Sequence, residues 1–286
     1  MYPEDVRQME APALWKVDSP VRFPMKPTQA KDSFPREDSR GEMTFFGYRR
    51  VPVQKKESYV RRHFDSIARK YDFMNTLLSC GLHYLWKRQA VKFIGVQRGA
   101  RVIDVCGGTA DLSILAARAT GPEGRIILYD INRAMMEAGK PKVLQASLAG
   151  RIRYVQGDAE LISFPQNQFD CALVGFGIRN LTHMEKGLAE MHRVLKPGGK
   201  LMCLEFSLPT SPWFLALYDF YSFRFMPWVG NLLAGSREAY MYLPESIRKF
   251  PSPAELTALL RRIGFSRVVF QRLTNGIAVI YTGVKE

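Results

Sequence analysis

The chain has 286 residues, 47% of them hydrophobic, and a formal net charge of +14. It is long enough to bury one large core, with or without a small subdomain, and no uninterrupted apolar run reaches the roughly 18 residues that a membrane span requires. The composition therefore predicts a globular protein and excludes a membrane-spanning helix.

The positive charge is unevenly distributed along the chain. Residues 61–100 carry eight basic and two acidic side chains. Such a local positive field indicates nucleic acid, an anionic ligand or an anionic membrane surface as a partner. A basic solvated face without any partner gives the same pattern.

The amino terminus and the cysteines indicate the compartment. The chain begins Met-Tyr-Pro-Glu-Asp, which lacks the order of a signal peptide and is too acidic for a transit peptide. The four cysteines form no Cys-x-x-Cys pair, which is typical of buried thiols in a reducing compartment. We expect a cytoplasmic protein, soluble or peripheral, and find no metal-ligand spacing.

The first part of the chain predicts an extension followed by a helical cap. Residues 1–56 contain seven prolines and no sustained period, which is typical of a disordered or loosely attached segment. Residues 57–71 have apolar side chains at helical spacing with basic residues on the other faces. A second helix is predicted from about 84 to 94, so that residues 57–98 form the cap of a domain spanning 57–286.

From residue 101 onward the patterns of strands and helices alternate. Apolar runs without alternation predict strands buried on both faces of a parallel sheet, and a final helix at 253–263 precedes two β-rich runs at 266–273 and 277–284. The sequence therefore predicts an α/β fold with a doubly wound, seven-stranded, mostly parallel sheet. The other strands are expected at 101–106, 125–131, 151–156, 169–175 and 200–206, and the other helices at about 111–119, 133–145 and 184–195.

Residues 208–250 form an aromatic-rich insertion before the last helix. Asp219, Arg224 and Pro227 interrupt its apolar character, which argues against a membrane span. An apolar lid over a binding pocket fits this composition, and an ordinary helical subdomain with an aromatic core is the alternative.

Small residues follow the first strand of the predicted sheet. The run Gly107-Gly108-Thr109 predicts a tight strand-to-helix turn that a ligand approaches closely, with Asp104 supporting it. Asp130 and Asp158 end the next two strands, where carboxylates would face a ribose and an adenine amine. Three carboxylates repel a pyrophosphate and favour a cationic ligand, so the pattern predicts S-adenosylmethionine rather than NAD.

Several longer motifs carry a family resemblance over about residues 57–286. They are Phe64-Asp65-Ser66-Ile67-Ala68-x-Lys70-Tyr71-Asp72-x-Met74-Asn75, Gly81-Leu82-His83-x-x-Trp86-Lys87, Gly157-Asp158-Ala159-Glu160, Phe176-Gly177-Ile178-Arg179-Asn180, Glu205-Phe206-Ser207, Tyr221-Ser222-Phe223 and Tyr242-Leu243-x-Glu245-Ser246-Ile247-Arg248. Together they resemble the ubiquinone/menaquinone biosynthesis C-methyltransferase family. The resemblance implies a Rossmann-like class I methyltransferase that transfers the methyl group of S-adenosylmethionine to a ring carbon of a prenylated quinol, such as demethylmenaquinol or the corresponding benzoquinol.

The resemblance also implies a set of cofactor contacts. Two departures from the family pattern stand out: Ala110 replaces the usual last glycine of the turn and is strained there if its φ is positive, and Gly175 replaces a serine. The expected cofactor-binding residues are Asp104, Gly107, Gly108, Thr109, Asp130, Ile131, Asp158, Ala159 and Gly175.

Methyl transfer to carbon requires an aligned, electron-rich ring. Arg179 is expected to stabilise the developing quinolate oxygen. His83, or a water held by Arg179 and Asn180, would take the proton. Purely structural roles are the alternatives: a hydrogen-bonded histidine, and a salt bridge that braces the strand end. Tyr71, Asn75 and Tyr221 are expected to bind the acceptor.

A prenylated quinol resides in a bilayer, so the resemblance implies a cytoplasmic protein that is peripheral at the inner face of the membrane. An anionic membrane surface is the expected partner of segments 57–71 and 212–228. A methyltransferase of another amphiphile or of RNA remains an alternative, although no nucleic acid is expected because the aromatic residues cluster in an apolar insertion. A non-catalytic cofactor-binding scaffold in a quinone-synthesis assembly is another alternative. Homo-oligomers are left open.

Overall fold

The computed structural model describes residues 42–225 and 237–286. Residues 1–41 of the expected extension and 226–236 of the expected lid lie outside the described residues. The described strands are β1 (Met43–Phe46), β2 (Arg49–Pro52), β3 (Arg101–Val105), β4 (Arg125–Asp130), β5 (Ile152–Gln156), β6 (Phe169–Gly175), β7 (Leu195–Phe206), β8 (Phe265–Leu273) and β9 (Ala278–Lys285). The described helices are α1 (Val53–Ile67), α2 (Tyr71–Leu78), α3 (Leu82–Ile94), α4 (Asp111–Thr120), α5 (Arg133–Gln145), α6 (Met184–Val194), α7 (Pro212–Phe220), α8 (Arg237–Lys249) and α9 (Pro253–Ile263).

Seven strands form one sheet in the order β5-β4-β3-β6-β7-β9-β8. Strands β3 to β7 pair in parallel, and β9 pairs antiparallel with both β7 and β8. The predicted fold class is thereby confirmed. The chain runs from β3 outward to β5 and then returns to the other side of β3, so the strand order reverses between β3 and β6, where open α/β sheets bind their ligands.

Each face of the sheet carries its own hydrophobic core. Val102 packs against helices α3 to α5, and the next residue, Ile103, packs in the core that contains α6 and α9. Both side chains are fully buried, and a side chain of this size contributes about 1.5–3 kcal/mol on burial. The sequences of the parallel strands are therefore continuous apolar runs, because both faces of the sheet are covered.

The amino-terminal strands form a separate hairpin, where the sequence predicts an extension through residue 56. Strands β1 and β2 pair antiparallel outside the main sheet, and the ring of Phe46 stacks on that of Tyr242 with centroids 4.4 Å apart. Residues 43–56 thus have regular structure, where the sequence predicts a disordered or loosely attached segment. Four-residue strands are too short to show a period, and their packing partner lies in α8, far along the chain.

Helix α5 lies unusually close to the turn after β3. A Cβ on Gly139 would lie 2.7 Å from the carbonyl carbon and oxygen of Thr109 and 2.9 Å from its Cα. All three are backbone atoms, so no side chain can rotate away. Glycine at this position allows the helix to pack directly on the turn.

The close approach predicts that Gly139→Ala destabilises the protein, although alanine normally stabilises a helix interior by about 1 kcal/mol relative to glycine. We expect a loss of about 1–3 kcal/mol from overpacking, measured by chemical denaturation. Gly187→Ala in α6 is the matched control, because its Cβ would meet the mobile Cδ1 of Leu181 at 2.4 Å. Equal effects of the two substitutions would contradict the prediction.

Candidate functional site

The turn after β3 is built from backbone hydrogen bonds to neighbouring strand ends. The Gly107 N–H donates to the carbonyl oxygen of Tyr129 (3.3 Å), and the Gly108 N–H donates to Asp130 Oδ2 (2.8 Å). Gly108 has a φ of +50°, which glycine adopts without strain. A Cβ on Gly107 would lie 2.7 Å from Leu128 Cγ, so both glycines are needed.

Ala110 occupies the left-handed region with a φ of 72°. This conformation costs a non-glycine residue about 1–2 kcal/mol. Ala110 is also fully buried, so its methyl group contributes packing that a glycine would lack. The turn keeps its geometry despite the strain, because the Ala110 N–H donates to the Gly107 carbonyl oxygen (2.9 Å) and the Cβ is held in the core.

Asp104, in β3 just before the turn, is hydrogen-bonded to the helix that follows the turn. Its Oδ2 accepts a hydrogen bond from Ser113 Oγ (2.6 Å), whereas Oδ1 is buried without a partner among the described residues. Burial raises the pKa of this carboxyl to about 7. A cationic group near Oδ1 would satisfy the orphaned oxygen and favour its ionised form.

Asp130 links the first two strand ends. Its Oδ1 accepts from the Asn132 N–H (2.7 Å) and its Oδ2 from the Gly108 N–H. Burial raises the pKa of Asp130 to about 6, although these two hydrogen bonds oppose the shift. The carboxylate is thereby held in one orientation, and each oxygen keeps a second lone pair for a ligand hydroxyl.

Asp158 follows β5 and stands beside the same cleft. Its Oδ1 accepts from the Glu160 N–H (2.8 Å), and no described residue donates to Oδ2. Oδ2 is therefore available to a ligand donor.

These residues line one cavity of about 430 Å³. All nine expected cofactor-binding residues contribute to its wall: Asp104, Gly107, Gly108, Thr109, Asp130, Ile131, Asp158, Ala159 and Gly175. Among the described residues, seven carboxylates line this first cavity and two cationic side chains do, Arg61 and Lys87. A cavity of this size and charge fits a cationic nucleoside such as S-adenosylmethionine.

A second cavity, of about 390 Å³, lies under α2 and α7. Its wall is mostly aromatic and aliphatic and includes the three expected acceptor residues, Tyr71, Asn75 and Tyr221, together with His83 and Arg179. Asn180, expected beside Arg179, lines the first cavity instead. We refer to the two as the cofactor cavity and the acceptor cavity.

The two cavities adjoin. Phe64, Tyr71, Lys87 and Phe176 line both of them. The two cavities are therefore direct neighbours, with these four side chains as their shared wall.

Arg179 is buried and paired with a carboxylate. One guanidinium nitrogen donates to Glu205 Oε1 (2.8 Å) and to the carbonyl oxygen of Phe176. Its Nε is buried and has no partner among the described residues. The bracing salt bridge considered from the sequence is thus present, and the same side chain also lines the acceptor cavity.

His83 is 3% exposed and has one hydrogen-bonded ring nitrogen. Ser79 Oγ donates its only proton to the carbonyl oxygen of Asn75 (2.6 Å), so the 2.8 Å contact between Ser79 Oγ and His83 Nδ1 requires Nδ1 to be the donor. Nε2 then carries a lone pair, and no described residue bonds to it. Burial, followed by the charge on Lys87, lowers the pKa of His83 to about 4.

Hydrogen bonds fix two further expected site residues. Asn180 Oδ1 accepts from the hydroxyl of Tyr242 (2.8 Å), which turns the amide nitrogen away from Tyr242. The Tyr221 hydroxyl donates to the carbonyl oxygen of Leu78 (2.6 Å) and joins the segment after α7 to α2.

Sequence reasoning missed several residues of the two walls. Lys87, Phe176 and Tyr242 lie in quoted motifs without an assigned role, and His63, which also lines the acceptor cavity, lies outside those motifs. Burial, followed by the charge on Arg179, lowers the pKa of His63 to about 4. The motifs themselves were the available signal for the first three, whereas nothing in the sequence marks His63.

Comparisons with known proteins agree with this geometry. Residues 53–285 match the model of the ubiE/COQ5 methyltransferase family. The chain is 45% identical over 252 residues to a ubiquinone/menaquinone biosynthesis C-methyltransferase UbiE from Pseudomonas entomophila, covering 88% of this chain and 98% of the relative. It is also 45% identical over 244 residues to the UbiE of Hahella chejuensis, covering 85% and 98%.

Solved structures with low identity share the fold. A SAM-dependent methyltransferase from Thermotoga maritima superposes with a TM-score of 0.55 at 20% identity, covering 79% of this chain and 100% of that one. A putative S-adenosyl-L-methionine-dependent methyltransferase from Methanococcus maripaludis superposes with a TM-score of 0.54 at 19% identity, covering 77% of this chain and 93% of that one. On the family match and the identity to its relatives, the chain belongs to the ubiE/COQ5 methyltransferase family.

Proposed function

We propose that this protein is a C-methyltransferase that uses S-adenosylmethionine to methylate a ring carbon of a lipophilic quinol in ubiquinone or menaquinone biosynthesis. The observation that carries the proposal is the pair of adjoining cavities, one rich in carboxylates and one apolar, with a shared wall. The relatives with 45% identity are named ubiquinone/menaquinone biosynthesis C-methyltransferases. Methyl transfer requires donor and acceptor to meet in line, and neighbouring cavities for the two ligands support the proposal.

The cofactor cavity offers a carboxylate for each polar part of the donor. Asp104 Oδ1 would face the amino group, Asp130 the ribose hydroxyls and Asp158 the adenine amine, while Thr109 and Ala159 would complete the wall. When bound, S-adenosylmethionine supplies an electrophilic methyl group on a sulfonium.

The acceptor cavity offers one cationic group, Arg179, and one basic group, His83. The Arg179 guanidinium stays charged and would stabilise negative charge on a ring oxygen. His83 Nε2 would accept a hydrogen bond from the ring hydroxyl and then its proton, since an adjacent anion raises the pKa of an imidazole. The amide nitrogen of Asn180 would orient the same oxygen from the other cavity, directly or through a water.

Aromatic and aliphatic side chains would hold the rest of the quinol. Tyr71 and Asn75 belong to α2, one turn apart, and both line the acceptor cavity. Tyr221 also lines this cavity and is tied to α2 through the carbonyl oxygen of Leu78. We infer that these three residues bind the ring and the start of the prenyl tail.

A methyl-transfer assay tests the function. We expect the protein to move a deuterated methyl group from S-adenosylmethionine to a ring carbon of a short-chain demethylated naphthoquinol or benzoquinol, detected by mass spectrometry. Fragmentation distinguishes methylation on carbon from methylation on oxygen. Transfer to oxygen only, or to neither quinol, would contradict the proposal.

His83→Ala is expected to lower kcat by roughly 10²- to 10⁴-fold, the usual contribution of a general base, with the dissociation constant for S-adenosylmethionine unchanged. His192→Ala is the matched control, because His192 packs on Phe265 (centroids 4.8 Å apart) and lines neither cavity. Unimpaired turnover with an unchanged pH profile in His83→Ala would eliminate His83 as the base.

Asp130 is expected to make cofactor binding depend on pH. Its pKa of about 6 lies above the ordinary value of 3.8, so the carboxylate is ionised above about pH 6, whereas below it the group loses its charge and becomes a weaker acceptor. Affinity should therefore fall as pH drops from 8 to 5, measured by calorimetry. Asp130→Asn should bind roughly 10-fold more weakly, as expected for losing a charged hydrogen-bond acceptor, and with a flatter pH dependence. An unchanged pH dependence in this variant would exclude Asp130 as the titrating group.

We further propose that the acceptor cavity opens toward a membrane surface. Leu217 lines this cavity and is 55% exposed, so α7 lies at its rim. Trp213 and Phe220 on α7 are 70% and 66% exposed, and Phe73 on α2 is 61% exposed. No helix in the described part of the chain has the length and apolarity to cross a bilayer. Exposed aromatic side chains on two tied helices suit shallow contact with lipid.

Replacing Trp213 and Phe220 together by serine should weaken binding to vesicles that contain anionic lipid, because each aromatic side chain contributes to the apolar contact. Replacing Leu144 and Val269 together by serine is the control, since these residues are 65% and 51% exposed and line neither cavity. Cosedimentation measures both variants. Binding that is indifferent to anionic lipid, or equal in the two variants, would count against a membrane-facing α7.

A further inference from the structure

We propose that Asp72 is a positioning residue. It holds helix α2, which forms one wall of the acceptor cavity, in a fixed position relative to the turn that lines the cofactor cavity. The proposal rests on the proposed function, because it assigns Asp72 a part in bringing the acceptor to the donor. Asp72 lines neither cavity, so it acts through the residues that it holds.

The Asp72 carboxylate joins two elements that the sequence places far apart. Its Oδ1 accepts a hydrogen bond from Thr109 Oγ1 (2.6 Å), and its Oδ2 pairs with Lys142 Nζ (2.6 Å). Thr109 belongs to the turn that lines the cofactor cavity, and Lys142 belongs to α5, which packs on that turn. Asp72 therefore fastens α2 to the cofactor site at two points.

The same short helix forms a wall of the acceptor cavity. Tyr71, Met74, Asn75 and Leu78 of α2 line that cavity, and they recur at the three- and four-residue spacing of one helix face. A shift of α2 would move all four side chains together. Asp72 lies on a neighbouring face, so its contacts set the position of this wall without competing for the acceptor.

Two lysines extend the connection into the shared wall. Lys142 Nζ also pairs with Asp111 Oδ1 (2.6 Å), and Asp111 Oδ2 pairs with Lys87 Nζ (2.7 Å). Lys87 lines both cavities and is 8% exposed. The alternating charges Asp72, Lys142, Asp111 and Lys87 thus run from α2 through α5 and the start of α4 to α3, around the place where the cavities meet.

The turn itself does not depend on Asp72 for its shape. Gly107, Gly108 and Ala110 hold it through their own hydrogen bonds to Tyr129, Asp130 and Gly107. Loss of the Asp72 carboxylate should therefore release α2 while the cofactor still binds. An acceptor displaced by a fraction of an ångström loses its alignment with the donor.

The test compares Asp72→Ala with Asp170→Ala. Asp170 is a matched control, because its carboxylate likewise accepts one hydrogen bond, from the Arg101 N–H (2.8 Å), and pairs with one lysine, Lys196 (2.6 Å). It stands at the start of β6, at the opposite end of the strands from the turn. Both variants are assayed with a short-chain demethylated quinol and S-adenosylmethionine.

We expect Asp72→Ala to lower kcat/KM for the quinol roughly 10- to 100-fold while the dissociation constant for S-adenosylmethionine changes by no more than about threefold. Asp170→Ala should leave both constants near the wild-type values. Equal effects in the two variants, or a kcat/KM unaffected by Asp72→Ala, would overturn the proposal. Should Asp72→Ala not fold, Asp72→Asn answers the same question, since it removes the ion pair with little change in shape.

A second readout is independent of activity. Hydrogen exchange of the α2 amides, residues 73–78, should be faster in Asp72→Ala than in wild type and unchanged in Asp170→Ala. Unchanged α2 protection in Asp72→Ala would overturn the proposal even if activity fell. A wild-type protein that methylates no quinol would refute the proposed function, and the exchange measurement would still decide whether Asp72 holds α2.

Discussion

The hydrogen bond from the Gly108 N–H to Asp130 Oδ2 is the contact on which the site depends. It joins the ends of β3 and β4, which pair in parallel and finish at the same edge of the sheet. Because Oδ1 of the same carboxylate accepts from Asn132, which in turn caps α5, one buried side chain orients both the turn and the following helix. The free energy of desolvating this carboxyl appears as its raised pKa of about 6.

The electrostatics of the two cavities differ in a way that suits a group transfer. The cofactor cavity concentrates carboxylates, which stabilise a bound cation. In the acceptor cavity, Arg179 is balanced by Glu205, which is fully buried. Removing either partner of such a pair leaves an uncompensated buried charge, so the pair fixes Arg179 in place. The paired guanidinium keeps further N–H donors, and Nε2 of the neutral His83 is an acceptor without a partner among the described residues.

Long-range contacts hold the elements that cover the sheet. Phe46 of the hairpin stacks on Tyr242, whose hydroxyl fixes the Asn180 amide, and Asp72 ties α2 to the cofactor turn. These contacts join segments that are separated by tens to hundreds of residues. They hold the hairpin against α8 and α2 against the turn after β3, and they connect the walls of the two cavities.

The sequence by itself determined the seven-stranded sheet, with its strands and helices in chain order, and it predicted which strand-end residues bind the cofactor. These features follow from local periodicity and from the rule that parallel strands end at one edge. Only the tertiary structure decided that Ala110 has a positive φ, that Arg179 is paired with Glu205, that Asn180 lines the cofactor cavity and that Asp72 reaches Thr109. Each of these depends on the distance between segments remote in the chain, and no local pattern of residues encodes that distance.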